Sequence, residues 1–279
     1  MRKFDVLTII PTIEKMCIDA NCYVDPTLLT KLNQAKDSEV SDLGKDVLGQ
    51  IIKNSEIAKN THAPMCQDTG IVVVFVEIGT EVQLIGNIEE AINEGVRRGY
   101  DKGYLRKSVV GHPLDRVNTK DNTPAIIHYQ LVPGDKVKLT VAPKGAGSEN
   151  TSAIKMLKPS DGYEGVKQVV LDTVRTAGGK PCPPIIVGVG VGGNFEKSAI
   201  LSKEALMRPL DDVAQDKIAA QLEKELLEEI NNLNIGPAGF GGKATALAVK
   251  VNTYPCHIAS LPVAVNIQCH ASRHLTEIL

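Results

Sequence analysis

Cys66, Cys182 and Cys269 each stand where an apolar segment meets a loop of glycine, proline or polar residues, in "PMCQDTG", "GKPCPPI" and "IQCHAS". Three dispersed thiols brought together by a fold could ligate three irons of a [4Fe–4S] cluster and leave the fourth open to a substrate oxygen. Spacing alone leaves the alternative open that they are unrelated thiols at loop ends. The other cysteines read differently. Cys17 and Cys22 are spaced C-x4-C near Ile13, Met16 and Ile18, with no C-x2-C to complete a ferredoxin-type run. They are expected to be buried thiols. Cys256 lies between Pro255 and His257, and its spacing does not decide its role.

Other stretches compete for a chemical role. Gly188, Gly190 and Gly193 form G-x-G-x-x-G after the apolar "PIIVGV" and before an expected helix, the context of a dinucleotide fingerprint. The acidic residue that should end a second strand about 20 residues on is missing, since "LMRPLDD" leads into another helix. Nicotinamide binding is therefore not expected, although a glycine loop at a helix start still offers N–H groups to an anion. "KGAGSEN", Lys144 to Asn150, lacks the Gly-Lys-Ser/Thr end of a phosphate loop. Its glycines allow close backbone approach, and an ordinary connecting loop would have the same composition. Arg106, in "YLRKS", presents a fork of donors suited to a carboxylate, or to a surface ion pair. His257 and His270 flank the third cysteine region as ligands or as satisfied polar groups. No G-x-S-x-G, H-E-x-x-H or EF-hand loop occurs, which removes support from hydrolase and zinc-protease readings.

These residues need a scaffold, and the bulk composition bounds it. The 279 residues are 43% hydrophobic, enough for one large domain or two moderate ones. With 31 basic and 33 acidic side chains the net charge is −2, so a small ligand or a protein partner is expected and nucleic acid or membrane is not. Aromatics make up 4% and tryptophan is absent, which disfavours stacking platforms. No apolar run approaches the roughly 18 residues of a membrane span. The start, "MRKFDVLTIIPTIEKM", is broken by Asp5, Pro11 and Glu14 and does not read as a secretory signal. A cytoplasmic location with reduced thiols is expected.

About the first 60 residues read as helical. Asp25-Pro26 makes a helix start, and Val40, Leu43, Val47, Ile51 and Ile52 place an apolar stripe on the next helix. A strand over 71–78 follows "PMCQDTG", then a turn at Gly79-Thr80, the short strand "VQLIG" and a helix capped by Asn87. "TPAIIHYQLV" and "DKVKLTVAPK" flank Pro133-Gly134-Asp135 as a predicted hairpin. A helix over 164–177, a buried strand to the glycine loop, a long helix over 211–233 and two or three final strands complete the reading. Ile218, Leu222, Leu226, Ile230 and Leu233 mark the inner face of the long helix, and "EKELLEE" its solvated side. The fold class is α+β, a helical N-terminal part followed by mixed, largely antiparallel sheets surrounded by helices.

Taken together, "PMCQDTG", "YLRKS", "KGAGSEN", "GVGVGGNFE" and "YPCHIASLPVAVNIQCHASRH" resemble the alpha chain of the class I, iron–sulfur-dependent fumarate and tartrate hydro-lyases over nearly the whole length. The resemblance implies a single catalytic domain over residues 1–279 and a [4Fe–4S] cluster on Cys66, Cys182 and Cys269, with one open iron. It implies that Gln67, Asp68, Arg106, the glycine loop near Gly147 and His257 line the substrate pocket, with Asp68 and His257 in catalytic roles. Cys17, Cys22 and Cys256 match no ligand position. Single-polypeptide members continue into a second domain, so this chain resembles the alpha subunit of a two-chain form that needs a separate beta subunit, in an αβ or α2β2 assembly. The implied reaction is reversible hydration of fumarate to malate. Dehydration of L-tartrate to oxaloacetate and a non-catalytic iron–sulfur or scaffold subunit are the alternatives.

Overall fold

In the computed structural model, which describes residues 1–279, strand β1 (Arg2–Asp5) leads into helices α1 (Ile9–Cys22), α2 (Pro26–Ser38) and α3 (Asp42–Thr61). Asp25 caps α2 by accepting from the N–H groups of Thr27 and Leu28, and Pro26 occupies the first turn, where a missing N–H costs nothing. The apolar stripe of α3 is turned from its expected line. Val40 and Leu43 are exposed, while Leu48 and Ala58 are buried. Gly44 accounts for the turn, because a Cβ there would meet the Glu39 side chain at 2.9 Å, and the helix seats Gly44 and Leu48 inward together.

Next come β2 (Ile71–Gly79), β3 (Val82–Ile85), α4 (Ile88–Lys102), β4 (Ile126–Val132) and β5 (Val137–Lys144). Asn87 caps α4 as expected, accepting from Glu89 and Glu90. The chain continues through α5 (Ala146–Glu149), β6 (Ala153–Leu157), α6 (Gly162–Ala177), β7 (Ile185–Gly192) and α7 (Phe195–Ala205). It ends with α8 (Lys217–Asn231), β8 (Ala246–Tyr254), β9 (Leu261–Gln268) and β10 (Leu275–Ile278). No helix is long and apolar enough to cross a membrane. The residues group into two compact units. The first holds Met1–Val24, Asn54–Ala146 and Arg273–Leu279, and the second Asp25–Lys53 and Gly147–Ser272.

The first unit is built on a sheet in the order β10-β5-β2-β4, with β1 and β3 paired beside it. The predicted hairpin of β4 and β5 does not form. The turn at Pro133-Gly134-Asp135 reverses the chain, but β2 lies between the two strands, parallel to β4 and antiparallel to β5. The reason is in β2 itself. Its run "IVVVFV" is largely buried, and a buried strand must satisfy its N–H and C=O groups along both edges. Val72, Val74 and Val76 share a core with Ile9, Ile13 and Cys17 of α1 and Ile92 and Val96 of α4. α1 and α4 approach closely enough that a Cβ on Gly99 would stand 2.8 Å from that of Cys17. Cys17 is thus a core residue, and burial pushes its thiol pKa up.

The second unit carries a sheet in the order β6-β9-β7-β8, in which β8 runs parallel to β7 while β9 is antiparallel to both β6 and β7. Each four-stranded sheet therefore has one parallel and two antiparallel pairings, the mixed and largely antiparallel α+β pattern expected. The glycines of β7 have a packing role. A Cβ on Gly188 would lie 2.1 Å from the Ser202 carbonyl oxygen, and one on Gly190 2.1 Å from that of Ser198. They let α7 lie directly on the strand, so the G-x-G-x-x-G pattern records helix–sheet contact. Gly190→Ala is expected to lower stability by about 3 kcal/mol or more, the upper end of overpacking penalties. A urea midpoint within about 1 kcal/mol of the parent, at unchanged m-value, would contradict this account.

The long helix expected over 211–233 starts only at Lys217, where Asp216 caps it by accepting from Ala219 N–H. Asp212 is held instead by Arg208 and Lys250. Ile218 is exposed, and the inner row is Ala219, Leu222, Leu226 and Ile230. One residue of the acidic run is not solvated: Glu223 is buried and accepts from Arg208 Nη1 at 2.7 Å and from Val251 N–H at 2.8 Å.

Candidate functional site

In the first unit, residues 65–70 run from the end of the α3 region to the start of β2 without regular structure, yet nearly every turn of the segment is fastened. Met65 N–H donates to the Asn21 carbonyl at 2.9 Å, and Asn54 Nδ2 donates to the Met65 carbonyl at 2.8 Å. The buried phenol of Tyr100 donates to the carbonyls of Thr69 and Gly70, and Asn122 Nδ2 donates to Gly70 as well. Burial pushes the Tyr100 pKa up, so this donor keeps its proton. On that fixed segment Cys66 is half-buried and Gln67 exposed, with the Cys66 thiol donating to Gln67 Oε1 at 3.5 Å.

Asp68 is fully engaged. Its Oδ1 accepts from Gly70 N–H at 3.0 Å and its Oδ2 from Ala146 N–H at 2.8 Å, which fastens the "KGAGSEN" loop to the cysteine segment. The lack of a side chain at Gly145 eases this approach, since a Cβ there would crowd Asp68 Oδ2 at 3.2 Å. The structure also brings Arg106 to this place: its carbonyl accepts from Thr69 Oγ1 at 3.1 Å, and its exposed side chain enters no ion pair. Arg106, from the separate motif "YLRKS", thus lies beside the segment that carries Cys66, Gln67 and Asp68.

In the second unit, Cys182 precedes β7 and Cys269 follows β9. Because Ile186 pairs with Gln268 in antiparallel register, both cysteines sit at the same end of the sheet. His270 Nδ1–H donates to the Cys182 carbonyl at 2.9 Å and ties the two loops together, so the ring proton is on Nδ1. Cys182 is exposed with φ +56°, and Cys269 is half-buried. Gly147 belongs to this end too. It lines a groove of about 620 Å³ with Asn150, Thr151, Thr173 and Lys180, and Lys180 lies two residues before Cys182.

His257 is placed elsewhere. Its loop joins β8 to β9 at the other end, where Gly192 pairs with Tyr254, and the length of β7 separates it from Cys182 by about 23 Å at the usual rise per residue. Ala259 N–H donates to His257 Nδ1, which leaves the ring proton on Nε2, facing away from that bond. The exposed Cys256 donates to the Ser260 carbonyl in the same loop. Neither unit groups three or more His, Cys, Asp or Glu side chains as metal ligands.

The chain matches the family model for fumarate hydratase (Fumerase) over residues 10–277. It belongs to the fumarate hydratase family of hydro-lyases. Among its relatives is a Methanocaldococcus jannaschii protein provisionally named L(+)-tartrate dehydratase subunit alpha, 47% identical over 262 residues that cover 91% of this chain and 92% of the relative. The L(+)-tartrate dehydratase subunit alpha of Escherichia coli K12 is 34% identical over 253 residues, 89% of this chain and 83% of that one. As a fumarate hydratase family chain, it carries three residues at the cysteine segments that motif reading passed over. Asn21 and Arg273 brace the Cys66 segment. Gln268, buried beside Cys269, has a side-chain oxygen without a partner. Arg273 and Gln268 were within reach of the sequence, since both lie in the stretch "IQCHASRH", but nothing in their spacing marks them as buried. Asn21 gives no signal at all, because it looks like an ordinary helix C-terminal residue.

Proposed function

We propose that the chain is the alpha subunit of a two-chain iron–sulfur hydro-lyase acting on a four-carbon dicarboxylate. The observation that carries this reading is the braced segment of Cys66, Gln67 and Asp68 with Arg106 held beside it through its main-chain carbonyl. The donor chemistry agrees with a cluster. Cys66, Cys182 and Cys269 stand half-buried or exposed at loop ends that are tied down by hydrogen bonds, and thiolates are the ligands that iron–sulfur centres take. Cys17 and Cys22 are enclosed in the core and suit no such role. Cys66, Cys182 and Cys269 would hold the cluster, which when bound supplies a Lewis-acidic iron for the departing or entering hydroxyl.

The remaining work falls to the chain's own groups. Arg106, with its guanidinium unpaired, binds a substrate carboxylate in a fork and stabilises the negative charge that builds there as the neighbouring carbon loses its proton. Gln67 Nε2 adds a second donor. Asp68 orients: with both oxygens taken by backbone N–H groups, it holds Gly145 and Ala146 at the cysteine segment and leaves proton abstraction to a base on a second chain. A beta subunit as the source of that base is supported by the "subunit alpha" names of the relatives. His257 keeps a proton on Nε2, but its placement at the far end of β7 supports no role at the cysteine end of the same unit.

Two reactions are level as the physiological one. Fumarate hydration is supported by the family model's name, and L-tartrate dehydration by the names of the relatives. The length of the chain does not separate them, because the Methanocaldococcus relative is covered over 92% of its own length. The deciding experiment is an anaerobic assay of the chain co-expressed with its beta subunit, offering fumarate, malate and L-tartrate side by side. Turnover of at least one of them should appear only when both chains are present. A fully loaded cluster with no turnover of any of the three would favour the non-catalytic subunit instead.

A further inference from the structure

Arg273 is 3% exposed, and its neighbour Asn21 is fully buried. The guanidinium has no carboxylate partner. Its Nη1 donates to Asn21 Oδ1 at 2.9 Å and to the main-chain oxygen of Asp68 at 2.8 Å, and its Nε has no partner. Asn21 in turn gives its main-chain carbonyl to Met65 N–H and its Nδ2 to the Cys17 carbonyl at 2.9 Å. The two residues therefore grip the chain at Met65 and at Asp68, on either side of Cys66 and Gln67. The side chain of Asp68 continues the grip to Ala146, and Gly145 lies close by, where a Cβ would be in contact with Arg273 Nη2 at 3.4 Å and with Asp68 Oδ2 at 3.2 Å.

Burying a guanidinium against neutral oxygens is costly, and a methionine or leucine of similar volume would fill the same space more cheaply. What the arginine adds is geometry, since the two protons of one planar, fixed Nη1 reach two acceptors at once. We infer that Arg273 and Asn21 form a clamp that fixes the direction in which Cys66 and Gln67 project, making Arg273 a positioning residue of the hydro-lyase site. The inference rests on the hydro-lyase reading for its functional half and on the hydrogen bonds alone for its structural half.

The test separates the two halves. Amide hydrogen exchange is followed in the metal-free chain for R273Q, R273K and N21A. R273Q is expected to speed exchange across residues 65–70 by about tenfold or more, the scale of one lost charge-assisted bond, with β7 and β9 unchanged. R273K should recover part of the protection, because one ammonium N–H can still reach the Asp68 carbonyl. In the co-expressed two-chain enzyme R273Q should lower kcat by roughly 10- to 100-fold with a smaller change in KM, the effect of losing an outer support of a site residue. Unchanged exchange at 65–70 in both R273Q and N21A overturns the clamp, as does faster exchange spread evenly over the whole chain. If R273Q does not fold, N21A decides. If the parent enzyme takes up no iron and turns over none of the three acids, the hydro-lyase reading fails while the exchange result still judges the clamp.

Discussion

Cys182→Ser should leave the anaerobically reconstituted protein without its visible cluster absorption and with its stability intact, and Cys17→Ser should do the reverse. Cys182 is exposed, and its backbone is held by its own carbonyl, which His270 grips. Serine is nearly isosteric and touches no core, so the unfolding midpoint should move by no more than about 0.5 kcal/mol. A hydroxyl is nevertheless a poor substitute for a soft thiolate on iron. Cys66→Ser and Cys269→Ser should behave alike. Cys17 is enclosed between α1 and α4, where a serine hydroxyl in an apolar site costs about 1–3 kcal/mol, yet iron and sulfide per chain should match the parent. A full complement of iron in Cys182→Ser would remove the three-thiol assignment.

Glu39→Ala is expected to destabilise the second unit by about 3 kcal/mol or more, because it strands one buried and three partly buried N–H groups at once. Glu39 is 2% exposed although glutamate is among the least buried residue types. Its Oε1 accepts from the N–H groups of Val40 at 2.7 Å, Ser41 at 3.0 Å and Lys243 at 3.0 Å, and its Oε2 from Ala244 at 2.8 Å. Gly44 and Gly242 leave room for it, since a Cβ on Gly242 would come within 2.6 Å of Oε1. The carboxylate thus joins segments about 200 residues apart. Burial works to raise its pKa, but the four backbone donors outweigh it and hold the group below the usual glutamate value of 4.5. A carboxylate whose folded pKa is depressed stabilises the fold above the unfolded value, and that stabilisation is lost as the pH falls through the folded one. Urea unfolding of the parent should therefore weaken steeply below about pH 4.5. Glu39→Ala should show a lower plateau at neutral pH and a shallower acid decline. An acid decline as steep as the parent's would show that Glu39 is not its source.

Local chemistry was readable from the sequence wherever a short motif is its own cause. The caps at Asp25 and Asn87, the long apolar β2 and the α+β class needed no distant partner. What failed depended on segments far along the chain. The β4–β5 hairpin yielded to β2, which claimed both strands, and the α8 start slid to Lys217 because Arg208 and Lys250 hold Asp212. The site divides in the same way. Cys66, Gln67 and Asp68 adjoin in one motif, and Arg106, from a second, is held beside them through its main-chain carbonyl. Their braces, Asn21 and Arg273, lie 252 positions apart and are partners only in three dimensions.

Both units are woven from separated segments, and this bears on how the chain is made. The first unit takes its edge strand β10 from residues 275–278, while the strand it covers, β5, ends at Lys144. At ordinary translation rates, on the order of ten seconds pass between the emergence of β5 and that of β10 from a ribosome. For that interval one edge of the sheet has no partner, and α2, already synthesised, waits for the later strands of its own unit. High contact order of this kind slows folding and exposes strand edges to wrong partners. The nascent chain is accordingly a candidate client for chaperones, most of all before β10 closes the sheet of the first unit.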